Sequence, residues 1–151
     1  MKELDKLINS MEKAFASLPP LPKSIKDFIV VINPWVALIF GILGVFSLLS
    51  AIGLFTSISP FMALGGTVAG GSMMAAFTFK LMLGLALGFI AAVLMLVAFP
   101  GLRSNKASGW RMLFLSEAVS AVSNIIGISI IGFILSLVIF YILFQIKSYY
   151  K

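Results

Sequence analysis

From Pro34 to Ile146 apolar side chains follow one another almost without a break, and the charged positions inside that run are Lys80, Arg103, Lys106, Arg111 and Glu117. The stretch ahead of it has a different pattern. Leu4, Leu7, Ile8, Met11, Ala14, Phe15 and Leu18 recur at intervals of three and four, which predicts one apolar stripe on a helix, with Glu3, Asp5, Lys6, Glu12 and Lys13 on the other side. Such a helix lies in a membrane interface, packs on a partner, or packs on the cytoplasmic end of the rest of the chain. Its mixed charge favours packing over lipid. Pro19, Pro20 and Pro22 predict a stiff elbow, because proline can neither donate the backbone hydrogen bond nor leave φ near −65°. A second short helix is expected from a cap at Ser24 to Ile32, with Lys23, Lys26 and Asp27 at headgroup level. Residues 1–33 thus form an amphipathic, interfacial or cytoplasmic segment, and residues 34–151 a membrane domain.

Asn33, Pro34 and Trp35 read as a helix start at a membrane boundary. Spans are expected at about 34–55, 77–99, 110–127 and 130–147. Thr56 to Ser72, rich in Gly and Ser and containing Pro60, reads as largely non-helical, and Pro100-Gly101 as the stop of the second span. Gly65-Gly66 and Gly70-Gly71 bracket an apolar connection, either an external hairpin or a re-entrant segment with exposed carbonyls. One helix over the stretch from Met112 to Ile146 would be roughly 52 Å long against a hydrocarbon core of about 30 Å, so a break around Gly127 to Gly132 is expected. With four spans the basic N-terminal segment, the loop from Arg103 to Arg111, and Lys147 and Lys151 fall on one side; with three, the basic tail moves to the other. The excess of Lys and Arg on cytoplasmic segments favours four, with both termini cytoplasmic. The fold class is therefore all-α, a four-helix membrane bundle preceded by one or two amphipathic helices.

Composition narrows the chemistry. The chain is 61% hydrophobic with no Cys and no His, which removes the thiolate, the imidazole ligand and the side chain best suited to proton transfer near neutral pH. No catalytic, cofactor or metal site is expected. The net charge of +6 is scattered at helix ends, a topology signal rather than a nucleic-acid face. The layout is similar to that of small bacterial inner-membrane proteins, a resemblance of architecture only, which implies the cell membrane as location and the lipid bilayer as surroundings.

Two constellations carry the functional expectations. Gly84, Gly88 and Ala92 on the second span, and Ala37, Gly41 and Gly44 on the first, set small residues on ridges that let helix backbones approach closely. Glu117, Ser120 and Asn124 recur at intervals of three and four on the third span, and Lys80 is the basic residue within the second. A charged carboxylate at membrane depth costs about 2.5–3.5 kcal/mol on insertion scales, so Glu117 must be paired, protonated or wet. The expectation placed first is a non-enzymatic scaffold or assembly protein that binds copies of itself or another membrane protein through helix packing. The second is an oligomeric small channel or transporter with its path near Glu117.

Overall fold

The computed structural model describes residues 2–66 and 71–151, with the backbone alone at residues 2, 55, 58, 61–66 and 71–78. Among the described residues the fold is all-helical. The elements are α1 (Lys2–Phe15), α2 (Lys23–Gly66), α3 (Gly71–Arg103), α4 (Ala107–Ile126) and α5 (Ile130–Ile146), with a 3-10 turn at Lys147–Tyr149. Three helices are long and apolar enough to cross a membrane, within Lys23–Leu54, Phe79–Arg103 and Ile130–Tyr149. α4 has 20 residues, enough length at 1.5 Å rise, but Arg111, Glu117, Asn124 and its serines make it less apolar than the other three.

α4 lies between α3 and α5, and α2 packs against α3 on the other side. Position explains the composition. Gly109, Trp110, Leu113, Phe114, Ser116, Glu117 and Ala121 of α4 are buried, whereas α2 and α5 expose Phe40, Leu43, Phe46, Ile131 and Leu135 along their outer faces. Trp110 and Phe114 stack at 5.5 Å, and Phe140 and Phe144 of α5 close on Phe114 at 5.3 and 5.8 Å. The Trp110 indole donates to the Leu143 carbonyl at 2.9 Å, so a buried N–H in an apolar setting has its acceptor.

Several boundaries differ from the sequence expectation, and proline is the common cause. No separate helix ends at Ile32 and no new one starts at Asn33. α2 runs through Pro34 and Pro60 to Gly66, so 56–66 is helical, and α3 runs through Pro100 to Arg103. In water an interior proline costs about 3 kcal/mol or more. In membrane-spanning helices proline is tolerated far more often, because neighbouring helices, hydroxyl side chains and local adjustments take up the freed backbone groups. The connection bracketed by Gly65-Gly66 and Gly70-Gly71 falls on residues 67–70, outside the described residues. The break between α4 and α5 is where the glycine and serine pattern put it, although the left-handed residue is Ile128, at φ 55°, rather than Gly127.

One end of the molecule gathers the chain's hydrophilic segments. The Ala107 N–H donates to the Lys151 carbonyl and the Lys151 N–H to the Asn105 carbonyl, both at 3.0 Å, tying the C-terminus to the α3–α4 loop. α1 reaches from the start of α4, where Asp5 pairs with Arg111, to the end of α5. Glu12 pairs with Lys147 at 2.6 Å, Phe15 stacks on Phe144 at 5.5 Å, and the Pro19 carbonyl accepts from the Tyr141 hydroxyl at 2.7 Å, so the chain leaving α1 runs back along α5. Ile8, 3% exposed, anchors α1 in the same core as Trp110 and Leu143.

Candidate functional site

The polar residues of α4 point in different directions, because successive positions of a helix stripe meet different neighbours. The Ser116 hydroxyl donates to the Ala91 carbonyl of α3 at 2.8 Å. The Asn124 amide donates to the Ser136 hydroxyl of α5 at 3.3 Å. Gly132 faces Asn124 so closely that a Cβ there would stand 2.7 Å from the Asn124 Cγ, and the Ser129 side chain caps α5 by accepting from the Gly132 N–H. Ser120 is half-buried on the same helix.

Glu117 is 4% exposed and lines a cavity of about 360 Å³ between α2, α4 and α5, with Met95 of α3 also in its wall. Its walls are Ile29, Ile32, Val36, Ala37, Phe40, Met95, Leu113, Ile139, Ile142 and Leu143, with Asn33 the other polar residue. The Ser136 hydroxyl donates to the carboxyl. Asn33 donates to the Tyr150 hydroxyl at 3.1 Å. No cation reaches this carboxylate among the described residues: Arg111 pairs with Asp5 at 3.3 Å and Lys147 with Glu12. Lys80 is exposed and lines a different cavity of about 510 Å³ between α3 and the far end of α4, with Leu81, Gly84, Leu85, Ser123, Ile126, Gly127 and Ile128. The two cavities share no residue, so Glu117, Ser120, Asn124 and Lys80 do not form one site.

The small residues divide in the same way. A Cβ on Gly44 would stand 2.8 Å from the Ala92 Cβ, and one on Gly41 would stand 2.7 Å from the Leu96 side chain and 3.2 Å from the Ala92 carbonyl oxygen. Gly41, Gly44 and Ala92 bring α2 and α3 together. A Cβ on Gly84 or Gly88 would meet nothing within 4 Å. Sequence reasoning had no means of placing Asn33 in the Glu117 cavity, since the two lie 84 positions apart, and it missed the backbone contact of Gly101 with Gly109. A glycine on each side of so short a loop was the available signal for that contact.

Neither family descriptions, nor curated proteins, nor solved structures provide a match to this chain.

Proposed function

We propose that this protein is a non-enzymatic membrane assembly protein that receives a transmembrane helix, from another copy or from a partner protein, on the groove between α3 and α4. α2, α3, α4 and α5 cross the bilayer in turn. α4 is the third of these crossings despite its polarity, because α3 and α5 flank it and Ser116 and Asn124 bond to them. Support for the even number comes from the hydrogen bonds joining Lys151 to Asn105 and Ala107, which set the C-terminus beside the α3–α4 loop. The basic residues at this end make it the cytoplasmic one, with α1 folded against α5 on the same side. The site is a cell membrane of the bacterial inner-membrane kind.

The observation that carries the assembly reading is the contrast between two glycine pairs. Gly41 and Gly44 are filled by α3, whereas Gly84 and Gly88 keep open backbone, Gly84 in the wall of a groove of about 510 Å³ and Gly88 one turn further along α3. Without a hydrophobic drive between helices in lipid, close backbone approach at small residues is a main source of association. A conducting path within one subunit has less support, since the Glu117 and Lys80 cavities are separate and Asn124 is bonded to Ser136 between them. The test is the mass of the particle extracted in native lipid. Wild type is expected to carry a second chain, and Gly88→Leu, whose Cβ meets nothing within 4 Å inside the chain, is expected to run as the single chain. Single-chain particles for both would overturn the proposal.

A further inference from the structure

The Glu117 cavity has a chemistry unrelated to assembly. A buried carboxylate stands at the wall of an apolar chamber, and the chain's nearest basic residues are engaged elsewhere. The chamber opens sideways: its lining residues Val36, Phe40 and Ile139 are 41%, 60% and 41% exposed on the apolar outer faces of α2 and α5, which touch each other only sparsely here. Glu117 lies seven residues beyond Trp110, roughly 10 Å deeper by helical rise.

We infer that this cavity binds a lipophilic organic cation, taken up laterally, with its charged centre on the Glu117 carboxylate and its apolar body against Val36, Phe40, Ile139 and Ile142. Each element of the site selects for that class. An acyl chain alone fits the walls but leaves the carboxyl with the Ser136 hydroxyl alone, so that it must take up a proton, whereas a cation lets it stay ionised at membrane depth. A small inorganic cation finds one carboxylate, the Ser136 hydroxyl and the Asn33 amide, too few oxygens to replace its hydration shell. A cation whose charge sits on an apolar body loses little hydration on entry and satisfies both surfaces at once. The Asn33 amide, already donating to Tyr150, keeps its carbonyl oxygen for an N–H of a protonated amine.

Two sources offer this chemistry, a single-chain amine of the bilayer and an organic cation from outside. Full-length protein in phosphatidylcholine nanodiscs is titrated with radiolabelled tetraphenylphosphonium. Saturable uptake of one per chain is expected, at least tenfold weaker in Glu117→Gln, displaced by dodecylamine but not by the uncharged dodecanol. Ile139→Trp, which narrows the mouth without touching the carboxyl, is expected to lose uptake as well, while both variants keep the far-ultraviolet circular dichroism of wild type. Mass spectrometry of the organic extract separates the sources: an amine co-purifying with wild type and not with Glu117→Gln places the ligand in the bilayer, and an empty site that takes up added cation places it outside. Equal uptake by wild type and Glu117→Gln, or displacement by dodecanol as effective as by dodecylamine, overturns the inference. Lateral entry rests on α2 and α5 lying in lipid, and failure of that reading is visible independently in the sidedness of residues 129 and 148.

Discussion

Gly101, near the end of α3, and Gly109, in the first turn of α4, are in backbone contact: a Cβ on Gly101 would stand 2.6 Å from the Gly109 Cα. The contact lets the two helices turn back on each other through Ser104, Asn105 and Lys106, and Asn105 takes the left-handed conformation at φ 51°. It brings Trp110 down onto α5 and fixes the direction in which α4 carries Glu117.

Replacing either glycine should therefore be costly. The atoms facing each missing Cβ are backbone and cannot rotate away, so Gly109→Ala is expected to destabilise by about 1–3 kcal/mol, the usual range for overpacking. Thermal unfolding in mild detergent measures it. A variant as stable as wild type would mean that the helices do not approach so closely.

The same substitution should have opposite signs at two positions on the α2 and α3 ridges. Gly44→Ala drives a methyl against the Ala92 Cβ, which has no rotamer to change, and is expected to destabilise. In the single chain, dissociated in detergent, Gly88→Ala meets open space and gains helix propensity, up to about 1 kcal/mol in the stabilising direction. Unfolding midpoints of the two variants side by side test this, and a loss at Gly88 comparable to that at Gly44 would show the ridge to be packed already.

α1 should be held by Ile8 rather than by its ion pairs. The Asp5–Arg111 pair is nearly half exposed on both sides, and such pairs contribute about 0–1 kcal/mol, whereas full burial of an isoleucine is worth about 1.5–3 kcal/mol. Ile8→Asp is expected to release α1 and open the elbow at Pro19 to Pro22 to limited proteolysis; Asp5→Asn is expected to leave cleavage near the wild-type rate. Fast cleavage in Asp5→Asn would reverse that ranking.

The break between α4 and α5 was legible in the sequence because Gly127 and Ser129 interrupt a run too long for one crossing, and Ser129 does cap α5. The packing of Ala92 on Gly41 and Gly44 was legible as small residues at helical spacing. Helix continuity through Pro34, Pro60 and Pro100 was not, since the rule that proline ends a helix is calibrated where water takes up the freed carbonyl. Glu117 stood out as a costly residue. The cavity around it did not, because its walls come from four helices, and only their packing places Asn33 and Val36 near a side chain 84 and 81 positions away.

The absence of cysteine gives a clean background for topology. Single cysteines at Ser10, Ser104 and Ser148 are expected to react with a membrane-impermeant maleimide from the same side of sealed vesicles, and one at Ser129 from the opposite side. Labelling of Ser104 and Ser148 from opposite sides would mean an odd number of crossings after the loop.

The most direct test of the assembly proposal is in-membrane crosslinking at Gly88. With Gly88→Cys in native membranes, mild oxidation or a short bismaleimide is expected to give a discrete adduct, either the doubled mass of this chain or a single heavier species with a partner, while Gly44→Cys, closed against α3, gives none. Only single chains from Gly88→Cys, under conditions where the thiol reacts with a lipid-soluble maleimide, would contradict it.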